Sequence, residues 1–350
     1  WVSALLVIGV ACFKAYSVQP RNGARTYFQV SRSEIDREPA AEKRMQAQKP
    51  GILFSIIWEG QSLRESNITA LRNLRDKHPG LHFYHFMSPG YFARNHQNGS
   101  EQIKLIRSVI RSSDFVGLHL NGWRSVIERA GVDFKYGENF WGVRLDEHNC
   151  FSDCGNDLPM SDYTKGEMYR IVRTSLDLLE EAGFGGVNAM MAGGWLASEP
   201  ILEAAIRSQI KYSYSRVWPS LLKSSIGSFP LMSMIEATWK GVGEENFAEI
   251  TAHQTKHGNI VEMGNSALAV DFLDADHALA IFNRLLDQDS AKKPRGFHIG
   301  IHQETALRYV SRFDQIISRV SEELRRRGLN TDISPRGSLY EASKLQRLSH

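Results

Sequence analysis

The sequence predicts an α/β fold: an irregular (β/α) barrel of about seven parallel strands in a single domain. Two observations point there. Short apolar runs alternate with amphipathic stretches from about residue 51 to residue 328, and such alternation implies right-handed crossovers and a parallel sheet. Several runs also end on residues suited to chemistry: Trp58 with Glu59, then His119, Glu262 and His302. In a closed parallel barrel the C-terminal strand ends share one face, and that face carries the active site. An open, doubly wound sheet is the runner-up; it would gather its ligand contacts at one switch point. No glycine-rich phosphate loop follows the first strand, which counts against a nucleotide cofactor.

Each element has its own signal. The first strand, 52–58, is an apolar run stopped by Glu59 and Gly60. A helix over 66–78 follows, with Ser66 or Asn67 as N-cap and Leu71 and Leu74 on one face. Pro79 and Gly80 stop it, and the second strand is 81–87. Ile103, Ile106, Val109 and Ile110 stand at helical spacing and predict a helix over 100–113. The third strand is 115–120, and a short helix over 124–130 comes next. Residues 132–159 form a long segment rich in Gly, Asn, Asp and aromatic residues; a loop of that length in a compact domain is usually functional or disordered. Phe140, Trp141 and the cysteines argue that it packs. Ser161 is expected to cap a long helix reaching 183, with Met168, Ile171, Val172, Leu176 and Leu179 inward. The fourth strand, 186–191, runs into Gly193, Gly194 and Trp195. A helix over 199–208 carries Pro200 in its first turn. The fifth strand is 210–215. Residues 218–257 are the least readable, with one strand expected at 230–235. The sixth strand, 260–263, a helix over 274–288, the seventh strand, 297–301, and a closing helix over 304–327 complete the chain.

The totals bound the function. A chain of 350 residues with 42% hydrophobic residues can bury a sizeable core. A net charge of +3, with arginines spread over helices, gives no case for nucleic acid. The apolar run 1–13, followed by Lys14, is shorter than the about 20 residues a bilayer span needs. With residues upstream of Trp1 it makes a signal-peptide core or a membrane anchor, so 1–15 is read that way. A buried first strand, or a lipid-modified Cys12, are the other readings. Residues 16–50 read as a linker, 51–328 as the barrel and 329–350 as a polar tail. The expected location is exported: periplasmic or on the outer membrane face, with the membrane reached through the N-terminal segment. Cys150 and Cys154 suit a local disulfide in an oxidising compartment. A zinc knuckle with Asp146, His148 and Asp153 competes, but the second cysteine pair of such a site is missing.

Five stretches together resemble the polysaccharide deacetylase (NodB-homology) family, over roughly residues 51–320. They are Ser55-Ile-Ile-Trp-Glu-Gly60, Val116-Gly-Leu-His-Leu-Asn-Gly-Trp123, Ala192-Gly-Gly-Trp195, Lys211-Tyr-Ser-Tyr-Ser215 and Ile301-His-Gln-Glu-Thr-Ala306. The resemblance implies a seven-stranded irregular barrel and metal-assisted hydrolysis of an acetamide on N-acetylated polysaccharide or peptidoglycan. The implied cofactor is a divalent metal, zinc first. It polarises the carbonyl and acidifies bound water, while a base takes the water's proton and an acid protonates the leaving amine.

The match is incomplete. Glu59 is the sole carboxylate after the first strand; the family's first aspartate falls on Ile57 or Trp58. His119 matches the first ligand histidine, but the second falls near Asn121 or Trp123. Met191 stands where the family carries an arginine, and Ser213 stands near another expected aspartate. His302 matches the acid. The expected set is therefore Glu59 and His302 as catalytic residues and His119 with Glu59 as metal ligands, too few for an ordinary zinc site. Trp58, Asn121, Trp123, Trp195 and Glu262 are the expected substrate-binding residues. The tryptophans are equally explicable as core. His82 and His85 lie on opposite faces of one strand, so a shared metal is not expected. Loss of ligands leaves a second reading open: an inactive glycan- or protein-binding module that holds no metal.

Overall fold

The computed structural model describes residues 51–329, except 61, 95–98, 151–152, 267 and 289–294. These residues belong to one compact unit. The expected leader or anchor 1–15, the linker 16–50 and the polar tail from residue 330 lie outside them. Among the described residues no helix is long and apolar enough to cross a membrane.

Eight strands form one curled sheet: β1 Gly51–Trp58, β2 Phe83–Met87, β3 Phe115–Leu120, β4 Ala189–Ala192, β5 Tyr212–Arg216, β6 Thr251–Thr255, β7 Gly258–Gly264 and β8 Gly296–His302. Their spatial order is β6-β7-β5-β4-β3-β2-β1-β8. Every pairing is parallel except β6 with β7. Seven strands thus run parallel, as the sequence predicts. The gap between β7 and β8 is bridged by the 268–270 segment. There the Gly300 amide donates to Leu268 O at 2.9 Å, and the Val270 amide donates to Gly300 O at 2.9 Å.

The helices are α1 Glu65–Lys77, α2 Gly90–Ala93, α3 Gly99–Arg107, α4 Arg124–Arg129, α5 Lys165–Glu181, α6 Glu199–Arg207, α7 Lys223–Ile226, α8 Pro230–Thr238, α9 Ala275–Asp287 and α10 Ala306–Arg326. Alternation along β1 explains the two packed layers. Ile52, Phe54, Ile56 and Trp58 join the core shared with the helices, whereas Leu53 and Ile57 join a second cluster with Tyr84, Phe86, Met191 and Tyr214. α10 closes the first layer because Phe313, Ile316, Ile317, Val320 and Leu324 share one buried stripe.

Three sequence expectations fail here. The segment 230–235 is helical, not a strand: Pro230 occupies the first turn of α8, where its missing N–H costs nothing. β6, the antiparallel edge strand, went unpredicted because its Thr, His and Gln side chains are not an apolar run. The helix expected from Ser161 begins at Lys165, with Thr164 and Glu167 forming a capping box. Cys150 and Cys154 are joined by a disulfide, which removes the zinc-knuckle reading.

Candidate active site

The ends of β1, β3 and β8 bring Glu59, His119 and His302 together. His119 Nε2 lies 3.0 Å from Glu59 Oε1, and His302 Nε2 lies 3.5 Å from the same oxygen. Asn121 Nδ2 donates to Glu59 Oε2 at 2.9 Å. His119 Nδ1 sits 3.3 Å from Met191 O; a carbonyl only accepts, so this nitrogen carries a hydrogen. Local backbone design holds the carboxylate in place. Gly60 turns the chain at φ +93°, and a Cβ there would meet Ser88 Oγ at 2.6 Å. Trp123 Nε1 then donates to Glu59 O at 2.8 Å.

His302 Nδ1 bonds Asp271 Oδ2 at 2.8 Å, and Thr305 Oγ1 donates to the other Asp271 oxygen. Asp271 follows β7 in the segment that closes the sheet. Sequence reasoning missed it and looked for a carboxylate near Ser213 instead. Ser213 lies between Tyr212 and Tyr214, both of which pack inside the barrel, so strand alternation turns it away from the mouth.

The electrostatics separate these groups. Burial opposes the charge on Glu59, but His119 and His302 outweigh it and hold the carboxyl at about 2. Burial alone would lower His302; Asp271 first, then Glu59, outweigh it and hold the imidazole at about 9. Asp271 stays below the usual carboxylate range, because His302 and Thr305 overcome its burial. Glu304 is the contrast. Burial, reinforced by the Glu59 charge, lifts it to about 7, and Tyr91 Oη donates to its Oε1 at 2.8 Å.

These side chains line a cavity of about 250 Å³ whose walls include Ile57, Phe140, Trp141, Met191, Trp195 and Phe272. Three lining residues each keep one buried polar atom with no protein partner: Asn121 Oδ1, Trp195 Nε1 and Glu304 Oε2. Trp195 is one of three non-glycine residues with positive φ among those described, at 58°. Its neighbour Gly194 tolerates no Cβ, which would fall 2.9 Å from Leu231 and Phe140. Strained backbone of this kind concentrates at functional sites.

The cavity excludes three expected substrate residues. Trp58 is fully buried against the helices and donates to His85 Nδ1 at 3.2 Å; one step along the strand from Glu59, it points to the opposite face. Trp123 is fully buried beneath Arg94, whose guanidinium lies 4.3 Å from the ring centroid. Glu262 alternates with Val261 and Met263, which pack inside. It accepts from the Ser215 and Arg216 amides at 2.9 and 2.8 Å, and burial lifts it to about 7 away from the pocket. Asn121 and Trp195 line the cavity.

The donor set does not fit a resident metal. Among the described residues no group of three or more His, Cys, Asp or Glu side chains is arranged to hold one. Both Glu59 oxygens already face protein nitrogens, and His302 is held by Asp271. A catalytic zinc ordinarily takes three protein ligands.

No family model matches the chain, and no curated protein matches it. Among solved structures it is similar to a candidate polysaccharide deacetylase from Mycobacterium smegmatis, at 10% identity over 81% of this chain and 93% of that one, with a TM-score of 0.44. A 4-alpha-glucanotransferase from Thermococcus litoralis is similar at 9% identity over 79% of this chain, TM-score 0.43. The chain spans only 38% of that protein's length. A CE4 family pseudoenzyme from Bacillus anthracis is similar at 10% identity over 79% of this chain and 62% of its own, TM-score 0.37.

Proposed function

We propose that the chain is a divergent, carbohydrate-active hydrolase of the polysaccharide deacetylase kind, which removes acetyl groups from N-acetylated glycan such as chitin-like polymers or peptidoglycan. The observation that carries this reading is the cavity itself: an ionised carboxylate, a charged histidine and a raised carboxyl line it, and two further lining residues, Asn121 and Trp195, each keep a buried polar atom without a protein partner. An acetamide supplies the complement, with a carbonyl for Trp195 Nε1, an N–H for Asn121 Oδ1 and a methyl for the apolar wall at Ile57, Met191 and Phe272. Unpaired buried polar atoms cost free energy until a ligand satisfies them.

The acid–base assignment follows from the separated pKa values. Glu59, near 2, is too weak a base to take a proton from water at neutral pH; it holds His119, Asn121 and His302 in place. Glu304, near 7, is the base matched to the task. It takes a proton as water oxygen bonds to the acetamide carbon. His302, charged up to about 9, gives its proton to the amine nitrogen as the C–N bond breaks. Acetate and a free amine leave. Trp195 Nε1 is the donor for the oxyanion, a role worth about 10²–10³ in rate where it has been removed elsewhere. Since the donor set does not fit a metal, no step is assigned to one.

Export to the cell envelope belongs to the same proposal. It is supported by the apolar run before Lys14 and by the Cys150–Cys154 bond, since disulfides persist in oxidising compartments.

The test is acetate release from chitin oligomers and from peptidoglycan, measured in EDTA and again with added zinc. Release that survives EDTA and is lost in both Glu304→Gln and His302→Gln supports the reading. Release that requires zinc, or none under either condition, overturns it.

A further inference from the structure

The cavity carries more carboxyl groups than cations to balance them. Glu59, Asp157, Asp271 and Glu304 line it, against two imidazoles, His119 and His302. Among the described residues no lysine or arginine lines it. The imidazoles are already matched: His119 faces Glu59 at 3.0 Å, and His302 faces Asp271 at 2.8 Å. Asp157 and Glu304 are left over, and their side-chain hydrogen bonds come from neutral donors. Asn139 Nδ2 donates to Asp157 Oδ2 at 2.7 Å, and Tyr91 Oη donates to Glu304 Oε1 at 2.8 Å.

Asp157 has no part in the hydrolysis assigned above, yet the 132–159 loop fixes it at the pocket. Asn139, itself buried, is locked in turn, because its side-chain oxygen accepts from the Trp141 amide at 3.0 Å and the Val143 amide at 2.9 Å. The Phe140 amide donates to Asp157 O at 2.9 Å. One residue earlier, Asn156 O accepts from Asn121 Nδ2 at 3.3 Å, which ties this end of the loop to the end of β3. Burial raises the Asp157 carboxyl, and the Glu59 charge acts in the same direction. A carboxylate held in a pocket without a countercharge is unfavourable until a cation reaches it.

A cation is what the reaction makes. An acetamide is neutral, but loss of its acetyl group leaves a primary amine. An amine beside electron-withdrawing neighbours, like an α-amino group, keeps its proton up to about pH 8. The nitrogen is the same atom in substrate and product. As an acetamide it offers one N–H to Asn121 Oδ1, a buried acceptor with no protein partner. As an ammonium it offers three, and Glu304 Oε2 is a second buried acceptor in the same position. The protons balance. The one that Glu304 took from water passes to the amine nitrogen and restores the carboxylate, while His302 recovers its own from acetic acid as that becomes acetate. Acetate, an anion, gains nothing from the two leftover carboxylates.

We propose that Asp157 makes the pocket retain its amine product: together with Glu304 it holds the ammonium of the deacetylated sugar, so that acetate leaves first and the amine inhibits by staying bound. This rests on the acetamide reading above. The experiment is calorimetric titration of the full chain at neutral pH with glucosamine, N-acetylglucosamine and sodium acetate. Glucosamine is expected to bind about tenfold more tightly than N-acetylglucosamine, the value of one charge-assisted hydrogen bond, and acetate more weakly than either. Asp157→Asn keeps the shape of the side chain and lowers the ratio of the two sugar affinities about three- to tenfold; an unchanged melting temperature shows that the variant folds. Where it does not fold, the order of the three affinities in the wild type decides. Glucosamine bound no more tightly than N-acetylglucosamine, acetate bound as tightly as glucosamine, or a ratio unmoved in the folded variant overturns the retention and leaves the acetamide pocket standing. Glucosamine bound tightly by a protein that releases no acetate from chitin oligomers supports the cation site and removes the hydrolysis. No binding of any of the three overturns both.

Discussion

Asp271→Asn is the most informative single change. Asp271 is the first group that offsets the burial of His302 and holds it near 9, against an ordinary value of 6.5. The raise, about 9 less 6.5, is about 2.5 pH units, and at about 1.4 kcal/mol per unit it corresponds to roughly 3 kcal/mol of preference for the charged ring. Glu59 supplies part of it and remains in the variant. The asparagine form is therefore expected to bring His302 down by one to two units, about 1.4–3 kcal/mol. Two readouts follow. Nuclear magnetic resonance titration of the His302 ring should show a midpoint near 9 in the wild type and between about 7 and 8 in the variant. Stability should respond with a definite sign. A group whose folded pKa is raised contributes stability that is fully present below its unfolded value and is lost as pH rises through the folded one. The wild type should thus lose stability relative to the variant between about pH 6.5 and 9. A wild-type midpoint near 6.5, or a midpoint that does not move in the variant, refutes the ion-pair account.

Further outcomes follow from other parts of the structure. If Glu304 is the base and His302 the acid, acetate release should follow a bell between their values, about 7 and about 9, and Asp271→Asn should draw in the alkaline limb; a rate flat from pH 5 to 10 would contradict the assignment. Behind the first strand, Asp114 takes both 2.7 Å bonds from Arg75 and lies 3.1 Å from His85, with Arg75 and Asp114 almost fully buried. Asp114→Ala strands a buried guanidinium and should cost about 3–5 kcal/mol in urea unfolding; a loss under 1 kcal/mol would mean the pair is not formed. Trp195→Phe keeps one aromatic ring and removes the N–H with the rest of the indole, so acetate release should fall by about 10²-fold, with some loss of melting temperature from the smaller buried side chain. Equal rates for the two proteins would take the tryptophan out of the chemistry.

The parallel strands were legible because their burial on both faces writes a near-continuous apolar run, as in Leu53, Phe54, Ile56 and Ile57, broken only by Ser55. Glu59, His119 and His302 were legible because each interrupts or ends such a run at the same barrel face. Trp58 shows the limit: adjacency in sequence placed it at the mouth with Glu59, whereas alternation sends it to the opposite side, where it bonds His85. The same oversight misplaced Glu262. Asp271 was out of reach because the segment that carries it is neither strand nor helix, and only the closing hydrogen bonds around Leu268, Val270 and Gly300 bring it to His302. Glu304 was visible as a residue following His302, but its raised pKa comes from burial and the Glu59 charge, which no local pattern records. Pro230 misled in the usual direction: five apolar or small neighbours read as a strand, while the proline itself was the helix start.

A structure of the chain soaked with an N-acetylglucosamine oligomer tests the central claim most directly. One acetamide group should enter the cavity, its N–H at Asn121 Oδ1, its carbonyl at Trp195 Nε1 and its methyl against Ile57 and Met191. A sugar bound elsewhere with the cavity left unentered, or an acetamide turned so that its methyl meets Glu59 and His302, would contradict it.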